Sequence, residues 1–326
     1  MNHQPFPGVS GRERRMMKLR KTFYGLLSGL LWLAAGTAQI QAGLLVPAAP
    51  GANLYVANYE NNTIVTFTPG GVGSVFASTG LSVPNGLAFD SAGNLYVANI
   101  GNNSIEKFTP GGVGSVFATG LAAPTGLAFD SAGNLYVANQ ANNTVEKFTP
   151  GGVGSLFAST GAPTGLAFDS AGNLYAVDKI SNTIEKFSST GTDLGVFAST
   201  GLNQAYGLAF DSAGNLYAAN RGDGTIAKFT PGGVGSLFAS DLPSGPVGLA
   251  FDSAGNLYSA NIDSQRIEEF TSGGADLGAF ATSDMSLPSF IAFAPAPVPE
   301  PSTFVLGAFG LLVLGCVARR KQNRQN

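Results

Sequence analysis

The stretch Gly126-Leu-Ala-Phe-Asp-Ser-Ala-Gly-Asn-Leu-Tyr-Val-Ala-Asn139 stands again, unchanged, at Gly86–Asn99. It recurs with small changes at Gly165–Asp178, Gly207–Asn220 and Gly248–Asn261, so successive copies start 40, 39, 42 and 41 residues apart. A period in that range marks a repeat architecture, and the copies must stack to bury a common core. Each copy reads as strand, turn, strand: Gly-Leu-Ala-Phe and Asn-Leu-Tyr-Val-Ala are short apolar alternations. Between them Asp-Ser-Ala-Gly makes a tight turn, in which Asp caps local amides and Gly supplies a positive φ.

Two more strands follow each copy. After Asn139 come Thr144–Phe148, a Pro-Gly-Gly turn and Ser155–Ala158, and Ser104–Phe108 with Ser115–Ala118 repeats the order. Four antiparallel strands in ~40 residues is the size of one propeller blade. The chain enters this pattern partway through a unit. Asn53–Asn58 is a second strand with no first strand before it, and Thr63–Phe67 and Ser74–Ala77 complete its order. The missing strand is found at Ser289–Phe293, where Ser289 stands 41 residues after Gly248. First and second strands then number six each, which closes an all-β, six-bladed propeller over 53–294 with both chain ends in one blade. Closure removes the open edges of an incomplete ring. A linear β-solenoid, the competing architecture, has no need of complementary half-units.

Only 11% of residues are charged and 45 are Gly, which suits many short strands joined by tight turns. From Gly43 to Pro297 there are 18 acidic and 7 basic residues, a net charge near −11. That balance excludes nucleic acid as a partner, because phosphates require a basic surface. The only His is His3, the only Trp is Trp32 and the only Cys is Cys316, all outside the repeats. The repeat region therefore holds no disulfide, thiol nucleophile or Ser-His relay, and no cofactor is called for.

The two ends differ in character from the repeats. From Met16 or Met17 the chain reads as a secretory signal: Lys18, Arg20 and Lys21, then apolar Phe23–Ala35, then cleavage near Ala38 or Ala42. Residues 43–52 form a Pro/Ala/Gly linker, and 295–302 a second one. The second linker carries Val298, Pro299, Glu300 and Pro301, before an apolar run, Thr303–Ala318, and a basic tail, 319–326, led by Arg319 and Arg320. Sixteen residues of helix span ~24 Å, a short membrane crossing whose basic end stays cytoplasmic. Val-Pro-Glu-Pro, apolar helix and Arg-rich end together resemble the PEP-CTERM sorting signal. The resemblance implies export through the inner membrane and a C-terminal anchor that an exosortase-type enzyme processes. It also implies a place at the cell surface or outside the cell, with exopolysaccharide or envelope proteins as partners.

The repeat itself resembles the NHL repeat through Pro-Thr-Gly-Leu-Ala-Phe-Asp, Gly, Tyr-Val-Ala-Asn and Asn-Asn-Thr-Val-Glu-Lys-Phe. Two departures remove charge. The usual Arg is Thr63, Ser104, Thr144, Thr183 and Thr225, surviving only as Arg266. The usual Asp closing the second strand survives only as Asp178. A more distant resemblance, to gluconolactonase and streptogramin-lyase propellers, implies a channel metal held by Glu, Asn and Asp, or a catalytic His. Asn85 before Gly86 matches one metal ligand. The other pre-glycine positions are Thr125, Thr164, Tyr206, Val247 and Pro288, none acidic, so metal and catalytic residues are expected to be absent.

Comparison of the copies with one another locates the candidate site. The Asp-Ser-Ala-Gly and Thr-Pro-Gly-Gly-Val-Gly-Ser turns hardly vary and share one face of the disc. The connections on the other face do vary, and differing loops on a rigid scaffold are where binding sites lie. The candidate ligand-binding residues there are Tyr59, Glu60, Lys179, Tyr206, Arg221 and Asp223. The five turn aspartates read as turn formers, and Asn58, Asn99, Asn139, Asp178, Asn220 and Asn261 as partners of neighbouring loops. The Glu-Lys pairs at 106–107, 146–147 and 185–186 read as a solvated face. Two functions stay open: a non-catalytic binding scaffold, and a diverged metal-dependent lactonase or hydrolase.

Overall fold

The structure, a computed structural model, describes residues 51–242 and 245–295. It begins with β1 (Leu54–Asn58), β2 (Thr63–Phe67) and β3 (Gly73–Ala77). The next two blades are β4 (Pro84–Phe89), β5 (Leu95–Asn99), β6 (Ser104–Phe108), β7 (Gly114–Thr119), then β8 (Pro124–Phe129), β9 (Leu135–Asn139), β10 (Thr144–Phe148), β11 (Gly154–Ser159). Then come β12 (Leu166–Phe168), β13 (Leu174–Asp178), β14 (Thr183–Phe187) and β15 (Asp193–Ala198). The last complete blades are β16 (Ala205–Phe210), β17 (Leu216–Asn220), β18 (Thr225–Phe229), β19 (Gly235–Ala239), then β20 (Pro246–Phe251), β21 (Leu257–Asn261), β22 (Arg266–Phe270), β23 (Asp276–Ala281). Finally β24 (Pro288–Phe293) returns to β1, giving the order β24-β1-β2-β3. Every blade thus has four antiparallel strands, and the ring of six is closed by strands from both ends. Asn53 and Ala294 leave that blade side by side, joined by an Ala294 N–H donating to the Asn53 carbonyl at 3.1 Å.

First strands pack against the first strands of both neighbouring blades and so form the inner ring. A Cβ on Gly86, Gly126, Gly165, Gly207 or Gly248 would fall 1.9–2.5 Å from a carbonyl oxygen of the next blade, so glycine alone permits this approach. The closing strand departs from the expected register. β24 pairs Leu54 with Phe293 and Val56 with Ile291, so Phe290 takes the glycine position and Ser289 the position before it. The sequence reading put Pro288 in that place. Aligning on the start of the run hid a spacing that is one residue longer.

The blades are held to one another by a repeated aromatic contact. Tyr136 lies 4.8 Å edge-on to Phe157 of its own blade and 4.8 Å edge-on to Phe168 of the next. Tyr55, Tyr96, Tyr175, Tyr217 and Tyr258 repeat the arrangement. Edge-to-face geometry sets a positive ring edge against a negative face. The turn aspartates do what their sequence suggests. Asp130 accepts from the Ala132 and Asn134 amides, from Asn134 Nδ2 and from the Tyr136 hydroxyl, with Lys147 Nζ 3.6 Å away. Burial opposes its ionisation, but the Asn134, Tyr136 and Lys147 contacts prevail and its pKa is lowered.

The Glu-Lys pairs are not one solvated face. Neighbouring residues on a strand point to opposite sides. Lys107 and Lys147 cover Tyr96 and Tyr136 and reach the turn aspartates, whereas Glu106 is 6% exposed between blades, where burial raises its pKa. Glu268 on β22 is 2% exposed beside Arg266. Among the described residues no helix is long and apolar enough to cross a membrane. The runs Phe23–Ala35 and Thr303–Ala318 lie outside the described residues.

Candidate functional site

Antiparallel order puts every second-to-third and fourth-to-first connection on one face. The two sets are tied together there. Ile100 N–H donates to the Val83 carbonyl, Gln140 to Ala123, Arg221 to Gln204 and Tyr59 to Leu287, at 3.1–3.3 Å. The expected partners of the Asn ring are confirmed: Asn99 Oδ1 accepts from Ser82 N–H, and Asn220 Oδ1 from Asn203 N–H, both at 3.1 Å. A second tie runs from Asn62, whose Oδ1 accepts from Val83 N–H, and is repeated by Asn103, Asn143 and Asn182. These four asparagines have φ of 56–62°, as do their role and side chain favour. The loop face is therefore stiff at its base, while the side chains on it differ from blade to blade.

Of the other five candidate residues, Lys179 touches Tyr206, and Arg221 and Tyr59 influence its hydroxyl electrostatically. Its ring leaves the inner strand β16, with Lys179 Nζ, from the loop after β13, 5.5 Å from the ring centroid. Phe290, from the closing strand, tilts against it at 6.0 Å between centroids. Burial raises the pKa of the Tyr206 hydroxyl, the Arg221 guanidinium pulls it down and the Tyr59 hydroxyl pushes it up. Arg221 also faces Asp263 at 3.8 Å, an exposed pair worth little on its own. Three blades thus place one cation and two aromatic rings together on an acidic molecule, with Arg221 in the loop that follows β17 of the Tyr206 blade. Glu60 and Asp223 are engaged elsewhere. Ser286 Oγ donates to Glu60, and Thr225 Oγ1 donates to Asp223.

Phe290 was not among the candidates, since the one-residue register error concealed that it replaces a glycine. Alignment on Phe293 against Phe251 recovers it. Ile180, next to Lys179 in the chain, is 71% exposed.

The six pre-glycine positions hold Asn85, Thr125, Thr164, Tyr206, Val247 and Ser289. Thr125 Oγ1 donates toward the carbonyls of Ala138 and Pro163, Thr164 Oγ1 toward Tyr206, and Ser289 Oγ toward Ala57 and Asn85. Asn85 is 3% exposed, and its Oδ1 has no partner among the described residues. One amide oxygen with hydroxyls already committed to backbone is a poor set for a hard divalent ion, which requires several oxygen donors, carboxylates among them. Among the described residues no three His, Cys, Asp or Glu side chains stand together as a metal site. A lactonase-type metal does not fit these residues.

The comparisons with known proteins divide between the tail and the disc. Residues 297–322 match the PEP-CTERM protein-sorting motif. The chain carries a sorting signal for export. Val298, Pro299, Glu300, Pro301, Arg319 and Arg320 all fall within the match and outside the described residues. The motif is associated with exosortase processing.

No curated protein matches the sequence. Among solved structures, a chain of a nidogen–laminin complex is similar at TM-score 0.69 and 21% identity, over 75% of this chain and 98% of that one. A virginiamycin B lyase from Staphylococcus aureus is similar at TM-score 0.55 and 18% identity, over 65% and 77%. A gluconolactonase from Xanthomonas campestris follows at TM-score 0.53 and 19% identity, over 68% and 95%. At these identities the likeness is one of fold, and six-bladed propellers include both binders and enzymes.

Proposed function

We propose that this protein is an exported, surface- or matrix-associated propeller that binds a partner through its variable face and performs no chemistry of its own. The observation that carries the reading is the contact of Tyr206 with Lys179 and Phe290 from two other blades, on the face whose loops also carry Tyr59 and Arg221. Aromatic rings stack on sugar faces and cations pair with carboxylates, so an acidic exopolysaccharide suits this rim better than a neutral polymer. Of the seven basic side chains in the described region, four serve the turn aspartates and Arg266 serves Glu268. That leaves Lys179, with no ion pair among the described residues, and Arg221, whose exposed pair with Asp263 a ligand carboxylate could replace. The sorting tail brings the disc to the envelope, with an exosortase-type enzyme as its processing partner and the apolar run as its anchor before processing.

The test is binding of a polyuronate and of an uncharged glucan to the wild-type chain and to Lys179→Glu/Arg221→Glu. Retention of the polyuronate by wild type alone supports the reading. Equal binding by the two proteins, or none by either, refutes it.

The unpartnered Oδ1 of Asn85 is the one feature favouring the second reading, a diverged metal-dependent lactonase. Thermal unfolding with calcium, zinc, manganese or magnesium tests it. An ion at 100 times its dissociation constant stabilises by about 2.7 kcal/mol, and a shift abolished by Asn85→Ala would revive catalysis.

A further inference from the structure

The outer strand of each blade, β3, β7, β11, β15, β19 or β23, bonds to one neighbour only and leaves a row of backbone N–H and C=O groups unpaired. These six edges are of two kinds. β3 and β7 read Gly-Ser-Val-Phe-Ala, β11 and β19 read Gly-Ser-Leu-Phe-Ala, and none of the four contains a charge or a proline. Each sets an aliphatic side chain into solvent: Val75 61%, Val116 63%, Leu156 65% and Leu237 65% exposed. The turn before each adds another, Val72, Val113, Val153 and Val234, at 68–69%.

The other two edges are blunted. β15 and β23 open on Asp193 and Asp276, whose carboxylates accept from Gly195 and Gly278 N–H at 2.7 Å. Those glycines sit at φ +88° and +91°, and each strand shows two register shifts against its neighbour where the other four show one. A charge, a bulge and a consumed amide are devices that keep an edge from pairing. The other four edges have a single shift each and neither the charge nor the consumed amide.

The geometry points to these four edges as self-association surfaces, on which the outer strand of one copy pairs antiparallel with the outer strand of another. The occupant is a second copy of this chain because the edge is complementary to itself. An antiparallel pair of like strands is related by a two-fold axis, so the same exposed Val or Leu meets its counterpart from the partner. No other segment of the described chain offers an uncharged strand with a free edge. The open edges stand on three consecutive blades and on the one bearing β19, which lies across the disc from that bearing β7. A copy can therefore pair on opposite sides at once, and growth continues into a matrix. The acidic surface opposes this at low ionic strength, so salt strengthens it.

Sedimentation velocity of the full chain in detergent micelles tests the inference. The expected result is reversible association with protein concentration, the first step being about a doubling of mass, promoted by salt. The variant V75K/V116K/L156K/L237K, altered only at exposed positions, stays at one copy, while L194K/L277K on the blunted edges associates as wild type does. Hydrogen exchange on wild type gives a second reading that needs no variant: amides of 73–77, 114–118, 154–158 and 235–239 gain protection with concentration. A wild-type chain that remains single under all conditions, a fourfold variant that associates unchanged, or protection confined to other strands would each overturn it.

Discussion

Replacement of Tyr136 by Ala examines the contact that joins one blade to the next. Tyr136 is 1% exposed, edge-on to Phe157 and Phe168, and its hydroxyl donates to Asp130 at 3.1 Å. Truncating a buried aromatic side chain costs about 3–5 kcal/mol, and two edge-to-face pairs lie within that sum at about 0.5–1.5 kcal/mol each. Taking about 4 kcal/mol, and a fall of about 2–4 °C per kcal/mol for a domain of this size, Tyr136→Ala lowers the melting temperature by about 8–16 °C. Tyr136→Phe keeps both ring contacts and loses one hydrogen bond to a carboxylate, so it falls by a few degrees only, for about 1.5 kcal/mol. Tyr55→Ala falls less than Tyr136→Ala, because Tyr55 is only half-buried and no Asp-Ser-Ala-Gly turn stands beside it. Circular dichroism is the assay, since the propeller has no Trp. A drop below about 4 °C for Tyr136→Ala, or equal drops for Ala and Phe, would show that these rings do not hold the seam.

Three further outcomes follow from the same structure. Glu106→Gln stabilises the propeller at pH 7. The folded pKa of Glu106 is raised by burial, so its penalty is absent below the unfolded value near 4.3 and grows as pH rises through the folded value; melting curves at pH 4 and 7 should show the gain only at 7. Gly126→Val drives a side chain into the Thr164 carbonyl, 2.1 Å from an ideal Cβ, and should leave no cooperative melting transition, whereas Gly120→Ala, with nothing within 4 Å of its Cβ but a φ of +79°, costs about 1 kcal/mol or somewhat more. A chain ending before Pro288 lacks β24 and uncovers both β1 and the flank of β4; it should resist limited proteolysis far less than one ending after Pro295, and equal resistance would mean that the ring does not depend on its closure.

The fold was legible because a period of about 40 residues survives substitution, and the complementary half-units at Asn53–Asn58 and Ser289–Phe293 could be counted. The candidate site was legible only as a set of variable positions. Loop variation singled out Tyr59, Lys179, Tyr206 and Arg221, but six positions scattered along the chain carry no sign of which ones the ring brings together. Glu60 and Asp223, equally variable, turned out to serve Ser286 and Thr225. Phe290 was hidden by one extra residue in the last unit. The burial of Glu106 was hidden because Glu-Lys looks like a surface pair, although adjacent strand residues cannot share a face. The exposure of Val75 and its counterparts was hidden for the opposite reason: alternating apolar residues suggest two packed sides, and an outermost strand has only part of one.

The adjacency of Asn53 and Ala294 has a consequence for how the disc is displayed. In the other five blades the corresponding gap is bridged by the Asp-Ser-Ala-Gly turn, so both flanking segments depart from the invariant face. A tether at either end would therefore join the disc on the Asp-Ser-Ala-Gly face, opposite the variable loops that surround Tyr206.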